Sequence, residues 1–380
     1  MEKLVLDKNK SLVNLANSVL KFFGCNTYHE SLKEIDDLME KSKKKKICLF
    51  LFDAFGKCIL EKYKNEAPFM YNHRFLVIHS VYPATTVAAT TAITTGKYPI
   101  EDGYMGWVQY FPEYNKFVEV YPSTIRDEDT LKKKSKKIVP QITDDILKTT
   151  YITNDINKKY GKEVAKMVMS FDFGNHDSDP HKTNELWEEA VDKSISKNLF
   201  TYAYNIYPDA LMHINGTDSI KVKNVIIQIN EIVENLVSAH PDTLFLAISD
   251  HGMIDIIEND IRNIPGFVDT LQTDTICLEE RFSSFFVKDK AKFLEIYKNT
   301  PLLNEHFLLL SKKEIINDNV FGYSNIQNKH SIDTIGDFTL IALDNNSLVD
   351  KYMVSSKFKA SHAGATKNEM EIYLQAYNID

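Results

Sequence analysis

The chain has 380 residues, of which 43% are hydrophobic and 26% charged, an ordinary globular composition with enough apolar residues for a large core. Its formal net charge of −8 argues against a nucleic-acid-binding surface, because phosphate backbones require clustered Lys and Arg. A small phosphorylated substrate stays compatible with this charge, since bound metal cations reverse the local field. No uninterrupted apolar stretch reaches about 18 residues, so the sequence predicts no membrane span.

The first 46 residues are predicted to form a helical extension before the main domain. Apolar residues recur there near one face of an amphipathic helix: Leu4, Leu12, Leu15, Val19 and Phe22. Charged and amide side chains separate them, so the segment lacks the apolar run of a signal peptide. The four cysteines form no CxxC pair and suggest no disulfide framework, which favours a reducing, cytoplasmic location.

Short continuous apolar runs follow along the chain and predict buried strands of a parallel sheet. They cover 47–52, 75–79, 200–206, 243–249 and 338–343. Helical periodicity lies between them, over 183–196, 217–238 and 291–298. Strands that alternate with helices indicate an α/β domain with a mostly parallel sheet, in which ligands collect beyond the carboxyl ends of the strands.

The segment 104–180 differs from the rest of the chain. It is rich in aromatic residues, Lys and Asp and shows little periodicity. We therefore predict that it is an insertion that forms a cap over the edge of the sheet.

Acids and histidines stand where several predicted strands end. Asp53 follows the first strand, and Asp250-His251 follows another in the same way. Asp209 and His213 are four residues apart, which places both side chains on one face of a helical turn. Carboxylates and imidazoles together suit zinc, manganese or iron better than calcium.

Another candidate ligand, His362, lies in a loop of small residues, where backbone can approach a ligand closely. Each candidate alone is weak, because a single Asp after a strand is usually a turn residue and a single His is usually structural.

The segment 82–99 predicts a strand-to-helix turn followed by a tightly packed helix that ends at Gly96. Thr86 falls at the N-terminus of this helix, where backbone N–H groups favour an anion. A hydroxyl in this place is either a nucleophile or a plain helix cap, and the neighbouring metal candidates favour the nucleophile.

In this order, the motifs resemble the alkaline phosphatase superfamily, and within it the type I phosphodiesterases and nucleotide pyrophosphatases, including their bacterial intracellular relatives. The resemblance runs from about residue 47 to residue 374. The matching motifs are Asp53 in Phe52-Asp53-Ala54-Phe55-Gly56, Thr86 ten residues before Gly96, Asp209 and His213 followed by Gly216, Asp250-His251-Gly252-Met253, and His362 with 363–370 after it.

The resemblance implies a three-layer α/β/α sandwich with a mostly parallel central sheet. Its catalytic domain would cover 47–380, with the small cap insertion around 104–180 and the helical extension over 1–46. The implied activity is the hydrolysis of phosphate esters, above all phosphodiester or nucleotide pyrophosphate bonds. The implied substrate is a small phosphorylated molecule, with nucleotides among the candidates; no nucleic-acid polymer and no membrane are expected as partners.

The resemblance also implies two divalent metal ions, with zinc expected and manganese as the alternative. One ion would be held by Asp209, His213 and His362, and the other by Asp53, Asp250 and His251. Thr86 would contact the metal centre and act as the nucleophile, with a phosphothreonine as the intermediate.

Three places depart from the nucleotide pyrophosphatase pattern. Val87-Ala88-Ala89-Thr90 stands where those enzymes often have Phe-Pro-Asn-His, and Asp102 stands where they have a His before Gly. Trp107 falls near the Asn that helps to hold the substrate phosphate in that group. These changes affect the phosphate contacts and the nucleotide preference but not the metal ligands. Trp107, Tyr104 and Tyr110 are candidates to stack on a nucleobase, with packing inside the cap as the alternative.

Other activities use much the same ligands. A phosphomonoesterase and a phosphonoacetate-type C–P hydrolase both stay open, and a mutase matches the motifs around Thr86 less well. A sulfatase is disfavoured, because that chemistry needs a Cys or Ser converted to an aldehyde hydrate. From another class of protein, the alternative is a metal-stabilised binding protein without turnover.

Overall fold

The computed structural model describes residues 4, 9–127, 139–174, 178–353 and 358–380. A six-stranded sheet lies at the centre of the fold. From one edge to the other it consists of β2 (Arg74–His79), β17 (Glu371–Tyr377), β8 (Thr243–Ile248), β1 (Lys46–Phe52), β7 (Phe200–Asn205) and β6 (Ala165–Met169). β8, β1, β7 and β6 are parallel, whereas β17 is antiparallel to β2 and β8.

Helices cover both faces of this sheet, which makes the fold the expected α/β/α sandwich. They include α1 (Leu12–Phe22), α2 (Lys33–Ser42), α5 (Thr86–Thr95), α8 (Ile152–Tyr160), α9 (Pro180–Lys197) and α11 (Ile220–Ala239). On one face Trp187 of α9 packs against the rings of Phe50 and Phe52. On the other face Phe23, directly after α1, contacts Phe200. Burial on both faces is the reason that β1 is an uninterrupted apolar run.

A second, antiparallel sheet flanks the first. Its order is β13 (Phe307–Ser311), β14 (Phe338–Ala342), β12 (Phe282–Phe285), β11 (Cys277–Leu278), β3 (Val108–Phe111), β4 (Lys116–Glu119) and β5 (Thr124–Arg126). The run predicted over 338–343 is therefore a strand, but it belongs to this sheet and not to the central one. An apolar run of this length predicts burial and leaves the choice of sheet to the tertiary partners, here β12 and β13.

The predicted cap range 104–180 divides between the two sheets. Its first part supplies β3, β4 and β5 to the second sheet, whereas β6 joins the edge of the central sheet. In the order of the chain, the short helix α7 (Pro140–Ile146) and α8 come between β5 and β6.

The predicted N-terminal extension is packed into the core. Every residue of α1 from Leu12 to Leu20 is buried, and α1 lies against α5. The side-chain amide of Asn17 donates to the Gly96 carbonyl at 2.9 Å, and its oxygen accepts from the Tyr28 amide at 2.7 Å. This buried polar side chain thus joins α1 to the end of α5.

Apart from a ten-residue helix over Lys290–Asn299, the remaining elements are short. The helices are α3 (Lys57–Lys62), α4 (Pro68–Asn72), α6 (Pro99–Asp102), α10 (Asp209–Asn215), α12 (Lys290–Asn299), α13 (Pro301–His306), α14 (Lys312–Asn317), α15 (Lys329–Thr334) and α16 (Lys367–Met370). Two further strand pairs are β9 (Ile254–Asp255) with β16 (Ala360–Ser361), and β10 (Ile257–Asp260) with β15 (Asn346–Val349). Within the described residues, no helix has both the length and the apolar character needed to cross a bilayer.

Candidate metal centre and nucleophile

The predicted ligands meet at the carboxyl ends of neighbouring parallel strands. Asp53 directly follows β1, Asp250 comes two residues after β8, and Asp209 begins α10 after β7. Backbone contacts bind these loops together: the Asp53 amide donates to the Asn205 carbonyl at 2.9 Å, and the Asp209 amide donates to the Asp53 carbonyl at 3.1 Å. His362 reaches the same place from β16, which pairs with β9 just beyond the Asp250 loop.

One cluster consists of Asp53, Asp250 and His251. His251 Nε2 lies 3.3 Å from Asp53 Oδ1 and 3.4 Å from Asp250 Oδ2. All three side chains are buried. Among the described residues, the buried Asp250 Oδ2 has no hydrogen-bond partner, which is the expected state of an oxygen that faces a cation.

The other cluster consists of Asp209, His213 and His362. Asp209 Oδ1 lies 3.4 Å from His213 Nε2 and 3.8 Å from His362 Nε2. The His362 ring stacks on that of His251 at a centroid distance of 3.8 Å, so the two clusters are adjacent.

Backbone carbonyls orient all three histidines. The Nδ1 atoms of His213, His251 and His362 lie 2.9, 3.0 and 3.1 Å from the carbonyl oxygens of Ala360, Gly252 and Ala84, respectively. A carbonyl only accepts, so each Nδ1 carries the proton and each Nε2 presents its lone pair to the cluster. Metal-binding histidines in proteins are held in the same way.

The electrostatics of the clusters favour a bound cation. Burial, followed by the carboxylates of Asp250 and Asp209, raises the pKa of Asp53 well above its ordinary value. Burial lowers the pKa of His213, and burial with the neighbouring His251 lowers that of His362 well below the usual range. The two histidines are therefore neutral donors, while the crowded carboxylates need positive charge nearby to be ionised together.

Thr86 stands between the clusters and the helix behind it. Its Oγ1 lies 3.3 Å from Asp53 Oδ1 and 3.2 Å from His251 Nε2. It is the first residue of α5, and Thr85 precedes it as the cap residue with extended backbone. The Ala89 amide makes the bond to the Thr85 carbonyl, so the amides before it point out of the helix end.

Sequence similarity agrees with this geometry. A family model described as type I phosphodiesterase / nucleotide pyrophosphatase matches residues 47–365. The chain belongs to this family. As a member, it is a hydrolase of the phosphodiesterase type. No curated protein matches the chain in sequence.

Solved structures of ectonucleotide pyrophosphatase / phosphodiesterase 5 share the fold. The murine protein, in a structure described as an inactive threonine-to-alanine variant in complex with AMP, has a TM-score of 0.61 and 15% identity, with 88% of each chain covered. The human protein has the same TM-score at 14% identity, with 87% of each chain covered.

Close backbone approach requires the glycines of the family motifs. A Cβ on Gly56 would lie 2.6 Å from Gly252 Cα, and a Cβ on Gly252 would lie 1.8 Å from the carbonyl oxygen of Asn368. The turns that carry Asp53 and His251 therefore touch each other without intervening side chains.

A fully buried ion pair holds the loop that follows His362. Arg281 Nε lies 2.6 Å from Glu369 Oε1, and Arg281 Nη2 lies 2.9 Å from Glu369 Oε2. Glu369 also accepts from the Gly364 amide at 2.7 Å and from the Thr366 hydroxyl at 2.6 Å. Because Arg281 precedes β12, this pair joins the second sheet to the metal centre.

The three departures from the family pattern lie in packed surroundings. Asp102 is buried and accepts from the Tyr104 amide and the Thr95 hydroxyl, at 3.0 and 3.2 Å. Val87 is fully buried, and the Trp107 ring lies edge-on to that of Tyr121 at a centroid distance of 6.3 Å.

The other two candidates for nucleobase stacking also make contacts within the protein. Tyr104 donates its hydroxyl to the Leu147 carbonyl at 3.2 Å. The Tyr110 ring contacts those of Phe117 and Phe286, at centroid distances of 5.0 Å each.

Two site residues carry no signal in the sequence. Glu279 is buried and accepts from the Thr85 hydroxyl and the Trp107 amide, both at 2.7 Å, and burial, followed by the charge of Glu280, raises its pKa to about 8. Tyr204 donates its hydroxyl to Asp53 Oδ2 from within β7. Tyr204 lies inside a strand, and Glu279 lies far along the chain from Thr85. Only the tertiary fold brings these two residues to the site.

Proposed function

We propose that this chain hydrolyses phosphodiester or nucleotide pyrophosphate bonds with Thr86 as the nucleophile and two divalent metal ions as cofactors. The observation that carries the proposal is the position of Thr86 Oγ1, within 3.3 Å of both Asp53 and His251 and at the N-terminus of a ten-residue helix. A capping threonine alone would not need two clusters of buried carboxylates and imidazoles beside it.

The residues fit two cations. Asp53, Asp250 and His251 would hold one, and Asp209, His213 and His362 the other, with three protein donors each and room for a substrate oxygen. We propose zinc, with manganese as the alternative, because the donors are imidazole and carboxylate. When bound, the two ions supply positive charge that favours ionisation of the Thr86 hydroxyl and stabilises the leaving oxygen.

The residues of the chain would then carry the reaction in two steps. The Thr86 oxygen attacks phosphorus, a phosphothreonine ester forms, and one alcohol or phosphate leaves with a proton. Water then attacks the same phosphorus opposite the Thr86 oxygen, the bond between Thr86 Oγ1 and phosphorus breaks, and a proton from the water returns to the Thr86 hydroxyl. The outward N–H groups at the start of α5 bind the non-bridging phosphate oxygens, whose charge grows in the transition state.

A nucleotide is the substrate that we propose for this site. Phe171 is 53% exposed, and its ring lies edge-on to that of Tyr204, 6.1 Å between centroids. Since Tyr204 contacts Asp53, an exposed aromatic face lies one side chain away from the metal centre. Such a face can stack on a nucleobase, and the murine structural neighbour is described in complex with AMP.

Replacement of the nucleophile tests the reaction. We expect Thr86→Ala to abolish turnover of bis-p-nitrophenyl phosphate while the protein still binds two equivalents of metal. Thr94→Ala is the matched control, because within the described part of the chain the Thr94 hydroxyl donates to carbonyls of its own helix, at 2.6 and 3.1 Å. Wild-type turnover in Thr86→Ala would refute the assignment, and loss of turnover in both variants would point to damage of the helix.

Removal of metal and a substrate panel separate the remaining alternatives. Turnover that survives dialysis against a chelator, with no metal left by elemental analysis, would rule out the two-metal mechanism. We expect thymidine monophosphate p-nitrophenyl ester and bis-p-nitrophenyl phosphate to be better substrates than p-nitrophenyl phosphate, with zinc or with manganese. A preference for p-nitrophenyl phosphate would favour the phosphomonoesterase, and metal binding without any turnover would favour the binding protein.

We also propose a cytoplasmic location. The four cysteines are free thiols in the structure, as a reducing compartment would keep them. Cell fractionation with an antibody against the chain tests this directly.

A further inference from the structure

We infer that Tyr204 is a positioning residue for Asp53, which it holds so that one chosen carboxylate oxygen faces the metal centre. The inference rests on the proposed function, because it assigns Asp53 to one of the two cation sites. The contact is the hydrogen bond from the Tyr204 hydroxyl to Asp53, and Tyr204 lies outside the sequence motifs that supply the proposed metal ligands.

The two oxygens of Asp53 have different partners. Oδ1 lies 3.3 Å from both Thr86 Oγ1 and His251 Nε2, on the side where the two clusters meet. Oδ2 accepts the hydroxyl of Tyr204. A phenol at neutral pH can only donate to an ionised carboxylate, so this bond occupies Oδ2 and leaves Oδ1 directed at the cluster.

The strand fixes the position of the hydroxyl. Tyr204 lies in β7 beside Leu51 of β1, two residues before Asp53, in a parallel pairing without irregularity. Tyr204 is 5% exposed, and its ring contacts the Phe171 ring at a centroid distance of 6.1 Å. A phenol held between a strand and a ring has few alternative rotamers, so it restrains the carboxylate more firmly than a water molecule would.

The same strand provides a matched control. Tyr202 is two residues before Tyr204, so it points to the same face of the sheet, and it is buried as well. Among the described residues, its hydroxyl has no hydrogen-bond partner. Removal of the Tyr202 hydroxyl therefore deletes a buried phenol oxygen without breaking a bond to the site.

Metal binding tests the inference without use of the reaction. We expect wild-type protein to bind two equivalents of zinc, measured by competition with a chromophoric chelator. Tyr204→Phe should bind one equivalent as tightly as the wild type and the other about 10–100-fold more weakly, as is typical when a partner behind a metal ligand is removed. Tyr202→Phe should bind both equivalents as the wild type does.

Asp53→Ala distinguishes positioning from general damage. This variant should keep the equivalent at Asp209, His213 and His362, and the addition of Tyr204→Phe should not weaken it further. Thermal unfolding of the metal-free proteins checks that Tyr204→Phe is as well folded as Tyr202→Phe. In Co²⁺-loaded protein, Tyr204→Phe should alter the visible absorption of one ion only.

The outcomes separate this inference from the proposed function. Unchanged affinity for both equivalents in Tyr204→Phe would overturn it, as would equal weakening in Tyr202→Phe or in the Asp53→Ala background. A wild-type protein that does not bind two ions would overturn it as well. If the expected metal titrations are found but the wild type hydrolyses no phosphate ester, the positioning role stands and only the proposed reaction fails.

Discussion

The contact between Gly252 and the backbone of Asn368 leads to a quantitative prediction for Gly252→Ala. The added Cβ would lie 1.8 Å from the Asn368 carbonyl oxygen, whereas real Cβ contacts are at least 3.0 Å, so the two segments must separate by at least 1.2 Å. The two clashing atoms are the new Cβ and a carbonyl oxygen, and the backbone fixes the position of both. No side-chain rotation can therefore relieve the clash. His251 precedes the substituted residue and is oriented by its carbonyl, so His251 shifts with it.

A displacement of about 1 Å at a catalytic group costs about 100-fold in rate. We therefore expect kcat/KM of Gly252→Ala on bis-p-nitrophenyl phosphate to fall by about 100-fold, together with weaker binding of the ion at His251. Overpacking of this kind should also destabilise the fold by about 1–3 kcal/mol.

Gly161→Ala is the control for a glycine that lies away from the site. Its Cβ would meet no atom within 4 Å, but its φ of +66° is unfavourable for alanine. We expect a loss of about 1 kcal/mol of stability with unchanged metal content and kcat/KM. If Gly252→Ala keeps full metal content and a kcat/KM within threefold of wild type, the close approach of the two turns is not required for the site.

Two further predictions concern buried ionisable side chains away from the reacting atoms. Glu369→Leu should lower the free energy of unfolding in urea by about 3–5 kcal/mol, because it leaves the buried Arg281 charge without its carboxylate and with only the Asn346 and Asp344 carbonyls as hydrogen-bond acceptors among the described residues. Arg281→Met in the same protein should restore part of the loss, and equal losses in the single and double variants would contradict this. Burial lowers the pKa of His330 to about 4, and its neutral Nε2 accepts from the Gln109 side-chain amide. Between pH 6.5, the ordinary pKa of histidine, and about pH 4, His330 therefore binds more protons in the unfolded chain than in the folded one. The free energy of unfolding consequently falls as the pH falls through this range. Between pH 7 and pH 5 the unfolding free energy of metal-free His330→Gln should therefore gain about 2 kcal/mol relative to wild type in urea titrations, and parallel pH dependences would refute the assignment.

The sequence predicted the parts of the fold in which local pattern and tertiary environment agree. β1 and β8 are apolar on both faces because helices cover the sheet, and this burial is visible as an uninterrupted run. The acids at their ends were predicted as ligands, and the structure brings them together with the histidines in two clusters.

Other elements have no such signature. β6 lies at the sheet edge, where the exposed Lys166 interrupts its apolar residues, so the segment lacks the continuous apolar run that predicted the central strands. The sequence of β14 predicts a buried strand but not its sheet, because an apolar run has the same composition in either sheet. Tyr204 and Glu279 reach the site across 151 and 194 residues of chain, a proximity that only the folded arrangement creates.

The order of the strands in space differs from their order of synthesis. β2 lies at the edge of the central sheet, and its neighbour there is β17, which also pairs with β8. Among the described residues, Ser11 is an earlier partner of this strand and forms an isolated bridge with His79, whereas the strand ladder pairs with residues 371–377, which are synthesised some 300 residues later. His362 is translated only shortly before that strand. The nascent chain thus spends most of its synthesis with an open sheet edge, which needs protection from other strands. His362 belongs to the same cluster as Asp209 and His213, so this cluster is complete only after residue 362 has been synthesised.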